Sequence, residues 1–200
     1  MSTATAPRTQ RERSEATIAG LLGAARELFG SRGYAATSLD EVASRADMSK
    51  GALYHHFAGK PELFRAVFVK EQEALAARVV AASRRGRDPW EAFFAGCRAF
   101  LEASLDPVVQ QITLMDAPAV VGWREMRELE APHSFAVLRA GIRQAVEDGR
   151  LAGRDATVLS HLVLGAMCEA VALAAGTDTP RSVIRRVMSE LRALLVAPAR

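Results

Sequence analysis

Apolar residues recur along most of this chain at the three- and four-residue spacing of an α-helix. The first such run covers residues 14–31 and places its apolar positions on one helical face, and Gly33 supplies a natural stop. A second run covers residues 61–83, and the same period continues from Pro89 onward. No segment alternates apolar and polar residues as a half-buried strand does, so the sequence predicts an all-α fold.

Proline marks where several of the later helices begin. Each of four predicted starts combines a capping side chain with a proline in the first turn, where the missing N–H costs nothing: Asp88-Pro89, Asp106-Pro107, Asp116-Ala117-Pro118 and Thr179-Pro180. Pro132 falls inside a helical pattern and predicts a break or kink. The pattern then continues to Gly149.

Residues 156–176 are apolar almost all round. Their length is near that of a membrane span, but the segment contains His161 and Glu169, and a charge in lipid is costly. In a soluble protein such a helix is buried on several sides. Gly165 permits close approach of a partner, and together with the final helix this pattern suits a four-helix bundle built from two subunits. We therefore predict a homodimer through the last two helices, and no membrane association.

Residues 37–63 follow a different pattern, with two short helices joined by a tight turn. Ser38 and Glu41 form a capping-box pattern before the first helix, and Ser49 caps the second. Leu53 and Phe57 lie four residues apart and point inward together, so the opposite face is exposed. This arrangement suits a helix-turn-helix, whose second helix enters the DNA major groove. A plain helical hairpin with a solvated polar face fits the periodicity equally well.

The exposed residues of this stretch have the chemistry that DNA contact requires. Lys50 and Lys60 can meet phosphates, and Tyr54 carries a hydroxyl for phosphate on a stiff ring. Gly51 and Ala52 let the backbone come close to the bases. The complete set of predicted DNA contacts is Thr37, Ser38, Ser49, Lys50, Gly51, Ala52, Tyr54, His55 and Lys60.

The string SLDEVASRADMSKGALYHHFAGKPELF closely resembles the DNA-binding region of the TetR family of bacterial transcriptional regulators. The family pattern, roughly T-x-x-x-I-A-x-x-A-G-V-S-x-G-x-L-Y-x-H-F-x-x-K-x-x-L, is met at Thr37, Val42, Ala43, Ala46, Ser49, Gly51, Leu53, Tyr54, His56, Phe57, Lys60 and Leu63. Asp47 and Met48, both in the turn, stand where the family usually has Gly and Val. The resemblance implies a helix-turn-helix domain over residues 14–60 that binds a palindromic operator. It also implies a helical ligand-binding and dimerisation domain over residues 61–200.

Charge and cysteine content narrow the class further. The net charge is +3, with 23 Arg against 3 Lys, which suits a sequence-specific DNA binder better than a histone-like protein. Cys97 and Cys168 lie in apolar helical patterns, which favours buried, reduced thiols in a cytoplasmic protein over a disulfide. No Cys/His spacing suggests a metal, and no GxSxG, GxGxxG or HExxH motif suggests an enzyme. We therefore predict no catalytic residues, metal or cofactor.

Residues 1–13 are small, polar and basic. They fit a flexible tail in the absence of DNA, and this is compatible with an arm that orders on binding and reaches the minor groove or flanking phosphates.

Large apolar side chains concentrate between residues 89 and 176. Singly, each is expected in the core, but together they can line an apolar cavity with a few polar groups, the usual form of a small-molecule site. The candidates are Trp90, Phe94, Met115, Trp123, Met126, His133 and Met167, with Gln111, Asp116, His161 and Glu169 as further polar groups. A hydrogen-bonded structural role is the alternative for His133 and His161. The resemblance implies an inducer pocket in this half.

These observations together predict a homodimeric repressor that a small apolar or aromatic molecule releases from its operator. Two alternatives stay open at this point. One is an enzyme or carrier that uses the helical cavity and retains a vestigial DNA module. The other is a non-specific DNA binder.

Overall fold

The structure is a computed structural model and describes residues 9–196. Those residues form no strand, which confirms the all-α prediction. The elements in chain order are α1 (Gln10–Arg32), α2 (Leu39–Arg45), α3 (Lys50–His56), α4 (Lys60–Ser83), α5 (Pro89–Ala103), α6 (Pro107–Gln110), a π-helical turn (Gln111–Asp116), α7 (Ala117–Val120), α8 (Trp123–Glu130), α9 (Ser134–Glu147), α10 (Ala156–Ala175) and α11 (Pro180–Val196).

The first helix begins earlier than predicted, at Gln10 instead of Ser14. The cause is a capping box, in which the Thr9 hydroxyl accepts from the Glu12 N–H and the Glu12 carboxylate accepts from the Thr9 N–H. The predicted tail over residues 1–13 is therefore wrong for its last four residues, which are helical. The minor-groove arm hypothesis now concerns residues 1–8, which lie outside the described residues.

The predicted helix starts at Pro89, Pro107 and Pro180 are confirmed, and Pro132 falls between α8 and α9 as a break. The predicted start at Asp116-Ala117-Pro118 coincides with α7, which begins at Ala117, but no break in the helical backbone precedes it. Helical backbone continues from α6 through the π-helical turn into α7, and α8 begins only after Gly122. Asp116 makes no side-chain cap because its carboxylate accepts from the Tyr34 N–H at 2.8 Å.

Two large buried clusters and a small third one, formed by Leu75, Ala103 and Val109, hold the described residues together. The DNA-side core combines α1 to α4 with Ile112, Ala117, Val121 and Met126, which come from the segment 107–130. The second core is built mainly from α5, α9, α10 and α11. The predicted boundary at residue 60 is therefore not a boundary of packing, because the first half of α4 and much of the 107–130 segment complete the DNA-side core.

Helix α10 is long and apolar enough, by length and composition, to cross a membrane, and 39% of its most apolar window is buried. Core helices of soluble proteins meet the same criterion. In the structure α10 packs against α9 and α11 and contributes Val171 and Ala174, both fully buried, to the second core.

Candidate DNA interface and ligand cavity

Local hydrogen bonds fix the geometry of the helix-turn-helix. The Ser38 hydroxyl accepts from the Glu41 N–H at 3.2 Å, and the Ser49 hydroxyl accepts from the Ala52 N–H at 3.1 Å, so each short helix has the cap that was predicted. Between the helices Asp47 has φ of +55°, which places it in the left-handed region. Glycine adopts this region at no steric cost, which explains why the family pattern has Gly at this position.

The face of α3 opposite Leu53 is open to solvent. Lys50, Gly51 and His55 are exposed, and 48% of Tyr54 is exposed. A Cβ on Gly51 would meet only the Ser49 hydroxyl oxygen, at 3.9 Å, so the fold of this chain does not itself require glycine there. Lys50 pairs with Asp40 at 2.8 Å in an exposed ion pair, and such pairs contribute little to stability. The Lys50 ammonium can therefore exchange this partner for a phosphate at small cost.

Two further predicted DNA contacts, Thr37 and Lys60, donate hydrogen bonds to backbone carbonyls of the protein. Thr37 is only 2% exposed, and its hydroxyl donates to the Gly33 carbonyl at 2.9 Å, so the prediction that its side chain faces DNA is wrong. The Lys60 ammonium donates to the Thr37 carbonyl at 2.7 Å and lies 4.2 Å from the centre of the Tyr34 ring. Lys60 therefore holds the loop between α1 and α2, and any phosphate contact would use its remaining donor capacity.

Polar contacts tie the DNA-binding module to the rest of the molecule. The Arg26 guanidinium of α1 binds the Glu71 carboxylate of α4 through two hydrogen bonds, of 2.5 and 3.2 Å. Glu71 is only 4% exposed, and its hydrogen bond raises the pKa of Arg26. Arg65 of α4 forms a second paired contact with Glu125 of α8. A shift of α4 would therefore pull on α1 directly.

A cavity of about 280 Å³ lies between α4, α5, α9 and α10. Its lining is mostly apolar, with the hydroxyls of Ser83 and Ser134 and the amide of Gln144 as polar groups, and contains no charged side chain. Burial raises the pKa of the Cys97 thiol to about 12, so this thiol in the wall is neutral at physiological pH. The lining residues are Val79, Ser83, Pro89, Ala92, Phe93, Gly96, Cys97, Phe100, Ser134, Val137, Leu138, Gly141, Gln144, Leu164 and Met167.

The structure does not bring the seven predicted ligand residues together. Of these seven only Met167 lines this cavity. Trp90 and Phe94 are buried beside it, where they pack against Phe93, and His133 lies next to the wall residue Ser134 without lining the cavity. Met115 and Trp123 are 67% and 62% exposed, and Met126 belongs to the DNA-side core. The expectation of one shared cavity is therefore wrong for these residues, because apolar character alone does not determine which core a side chain joins.

None of the further polar candidates lines the cavity either. Asp116 accepts from Tyr34, His161 is exposed and packs on Phe135, and Glu169 faces the groove between α10 and α11. The cavity residues that sequence reasoning missed include Gly96 and Gly141. Both lie inside helices, where glycine costs stability relative to Ala and usually has a packing reason. The two glycines within helical patterns were therefore a sequence signal for close packing at these positions.

Within residues 9–196, an apolar face of α10 and α11 is left without a partner. Val158, Leu162 and Leu173 of α10 and Leu194 of α11 are each more than half exposed. A groove between these two helices includes Leu173, Val187 and Leu194. Contiguous exposed apolar surface of this kind marks interaction sites.

The fold and the exposed face of α3, which is the reading helix that would enter the major groove, define a helix-turn-helix DNA-binding protein. Comparisons with known proteins identify its family. Residues 21–67 match the family described as "Bacterial regulatory proteins, tetR family", and residues 90–198 match the "Tetracyclin repressor-like, C-terminal domain". The chain belongs to the TetR family of transcriptional regulators.

Individual relatives agree with this assignment. The Transposon Tn10 TetC protein of Escherichia coli is 27% identical over 78% of this chain and 79% of its own length. The transcriptional activator FasR of Mycolicibacterium smegmatis is 42% identical, but over only 41% of this chain and 37% of its own length. A TetR-family regulator from Pectobacterium atrosepticum superposes with a TM-score of 0.75 at 34% identity, covering 96% of this chain and all of that one.

Proposed function

We propose that this regulator is a homodimeric repressor whose operator binding is relieved by a small apolar molecule bound in the cavity between α4, α5, α9 and α10. The observation that carries the proposal is the position of α4. Its first residue, Lys60, follows α3 after a short linker, and near its other end Val79 and Ser83 line the cavity. A ligand that displaces the far end of α4 therefore acts on the element that positions the reading helix.

The coupling needs no large energy. Effectors typically change the affinity for a second ligand by about 5–150-fold, or ~1–3 kcal/mol. The Arg26–Glu71 pair supports transmission, since it joins α4 to α1 of the DNA module. A dimer must place its two Tyr54 residues at the spacing of two half-sites, so a small shift of α4 in each subunit is enough to weaken binding.

A TetR-like neighbour of known fold offers a parallel for the ligand. The regulator RolR, 19% identical with a TM-score of 0.70, was crystallised in complex with resorcinol. That ligand is a small aromatic molecule, which agrees with the size and apolar lining of the present cavity.

The test of the ligand proposal is a variant that fills the cavity. Val137→Trp places a large ring into the lining, while the DNA-side core is untouched. The operator is first selected from random DNA, and an inducer is found by thermal-shift screening. We expect Val137→Trp to bind the operator as tightly as the wild type but to lose the ligand response. If the variant still releases DNA on ligand addition, the effector site lies elsewhere.

The sign of regulation is tested separately with a reporter gene placed behind the selected operator. Repression that the ligand relieves supports the proposal, whereas ligand-dependent activation would contradict the repressor role. Turnover of the bound ligand would favour the enzyme or carrier alternative. Equal affinity for unrelated DNA would favour a non-specific binder.

For DNA contact we propose the exposed set Ser38, Ser49, Lys50, Gly51, Ala52, Tyr54 and His55. Gly51 carries the sharpest test, because a Cβ there meets nothing closer than 3.9 Å within the protein. Gly51→Ala should leave stability unchanged or slightly improved and weaken operator binding. Gly23→Ala is the matched control, since its added Cβ meets nothing within 4 Å and it lies on α1. Equal operator affinity of both variants would mean that α3 does not contact the operator at Gly51.

For the dimer we propose the face of α10 and α11. Gly165 lies on the exposed side of α10, and an added Cβ meets nothing within 4 Å, so the single chain tolerates a larger residue. Gly165→Trp should produce monomers in light scattering, because it blocks the close approach of the partner. A well-folded dimer of this variant would move the interface elsewhere. A dimer interface on this face would bury the apolar side of α10, so no membrane is needed to cover it. This agrees with the proposal of a cytoplasmic DNA-binding protein.

A further inference from the structure

We infer that the cavity selects a neutral molecule that donates a hydrogen bond, a phenol or an alcohol, and that Ser134 is the residue that accepts this bond. The inference rests on the proposed function, because it specifies the ligand class of the same cavity. It concerns the chemistry of the wall and can be tested by ligand binding alone, without DNA.

The first step is the charge of the wall. None of the lining residues is an acid or a base, and the Cys97 thiol stays protonated because burial raises its pKa. A carboxylate or an ammonium group in this cavity would give up its hydration without meeting an opposite charge. Such a transfer is very costly for an ion and far less so for a neutral polar group. The wall therefore discriminates against ligands that are ionised at neutral pH.

The second step is the direction of the hydrogen bond. Ser134 is the buried polar residue of the lining, at 7% exposure. Its hydroxyl donates to the side-chain oxygen of Gln72 at 2.5 Å, and Gln72 is only 2% exposed. A serine hydroxyl has one proton and two lone pairs. Since the proton is held by Gln72, Ser134 has only acceptor capacity left for a ligand.

The other polar groups of the lining do not change this conclusion. Gln144 is exposed and Ser83 is partly exposed, so water can satisfy both. One amide N–H of Gln144 also donates to the Asp148 carboxylate at 2.8 Å. The buried polar contact that a ligand can gain is therefore the one to Ser134. A ligand with a hydroxyl gains it, and an ether of the same size cannot.

The size and shape of the cavity favour a single substituted ring. The volume of about 280 Å³ lies just below the range of ligand pockets, which span roughly 300–1,000 Å³. Phe93 and Phe100 supply aromatic surface in the wall. Two isomers of one formula, 4-propylphenol and 4-ethylanisole, provide matched probes, because only the first donates a hydrogen bond. The 4-ethylbenzoate anion tests the charge step.

The experiment is isothermal titration calorimetry of the full chain with these three probes. We expect 4-propylphenol to bind about tenfold more tightly than 4-ethylanisole, the value of one neutral hydrogen bond, and 4-ethylbenzoate to bind more weakly than either. Ser134→Ala should erase the preference for the phenol. The double variant Gln72→Leu/Ser134→Ala removes both partners of the buried bond, which keeps the fold stable and should also erase the preference. Val137→Trp should abolish binding of all three.

Three results would overturn the inference. Equal affinities for the phenol and the ether, unchanged in Ser134→Ala, would refute it while leaving the cavity as the effector site. Tighter binding of the benzoate would refute the charge step. Absence of binding by all three probes, with a ligand response that survives in Val137→Trp, would refute both the inference and the proposed effector site.

Discussion

The two main cores of this protein differ in how their aromatic rings are packed. On the DNA side the rings of Phe29, Tyr34 and Phe64 lie 5.3–5.8 Å apart between centroids, and Phe29 and Phe64 are fully buried. In the second core Phe93 stacks on Trp90 at 5.7 Å but also borders a void of about 280 Å³. This cavity is partly open to solvent, since Gln144 in its lining is exposed, and none of its lining side chains is charged. The pocket of about 250 Å³ between α1 and α4 is instead lined by the charged residues Arg26, Lys70 and Glu71.

The difference teaches which half can respond to a ligand. A close-packed core transmits displacement but has no room to accept a guest. Two glycines in the cavity wall allow close packing around it, because a Cβ at Gly141 would come within 2.8 Å of Phe93 and one at Gly96 within 2.7 Å of the Ser83 hydroxyl. The first half of α4 belongs to the DNA-side core, and Val79 and Ser83 near its other end line the cavity, so a change of volume in the cavity can reach the DNA side through a single helix. We therefore expect truncation of a buried ring to lower the free energy of unfolding more on the DNA side than beside the cavity.

The largest effect is expected from removing a ring on the DNA side. Phe64→Ala should lower the free energy of unfolding by about 3–5 kcal/mol, because the lost contacts and the new cavity add. Phe93→Ala is the matched control and should cost clearly less, since its ring already lacks neighbours on the side of the void. Chemical denaturation of both variants measures the difference. Equal losses would mean that the cavity is filled or collapsed in solution.

The next largest effect is expected where the two halves are joined. Arg26→Met leaves the Glu71 carboxylate buried without its partner and should cost about 2–3 kcal/mol. The double variant Arg26→Met/Glu71→Leu should recover most of that loss, because the buried charge goes as well. A double-mutant cycle from urea unfolding provides the coupling energy. Additive losses would show that the pair does not hold α1 to α4.

The sequence predicted the DNA side far better than the cavity, and the reason is the range of the interactions. Ser38, Ser49 and Leu53 act within four residues along the chain, so capping and periodicity were enough to place them and to leave Tyr54 exposed. The whole fold class and most helix starts followed from the same local rules. The left-handed turn at Asp47 was indicated only as a departure from a family glycine.

The cavity depends on contacts between distant segments. Val79, Ser134 and Met167 meet there from α4, α9 and α10, and no local pattern shows which inward residue borders empty space. The size and apolar character of Trp123 predict a cavity residue. In the structure it lies at the start of α8 on the surface, 4.4 Å from the guanidinium of Arg127. Only tertiary packing distinguishes these outcomes.

A smaller, pH-dependent effect is expected at α8. Burial raises the pKa of Glu130 above its ordinary value of 4.5, and the neighbouring Arg127 offsets this only in part. The folded protein therefore holds the Glu130 proton more tightly than the unfolded chain. The resulting loss of stability is absent well below pH 4.5 and develops as the pH rises through the raised pKa.

Glu130→Gln should accordingly be more stable than the wild type at pH 7, and this advantage should shrink as the pH falls toward 4. Thermal unfolding at several pH values measures it. Glu128→Gln, at an exposed position of the same helix, is the control and should show no such trend. A wild type that gains on the Gln variant as the pH rises would contradict the sign of the shift.

The smallest effect is expected in the turn that precedes the reading helix, and it tests how firmly the DNA-side core fixes that helix. Asp47 adopts φ of +55°, a left-handed conformation that has a steric cost for residues with a Cβ but not for glycine. Asp tolerates this conformation better than most other residues. Asp47→Gly should therefore raise the free energy of unfolding by about 0.5 kcal/mol, after the greater unfolded-state freedom of glycine is deducted. Asp47→Ala should lower it by a similar amount, because Ala lacks the short polar side chain that helps Asp in this conformation.

Urea unfolding of the two variants, measured together with operator affinity, distinguishes turn strain from loss of charge. Both variants remove the carboxylate, but only Asp47→Gly relieves the strain. If both variants change stability in the same direction, the backbone at Asp47 does not carry the strain that its φ indicates.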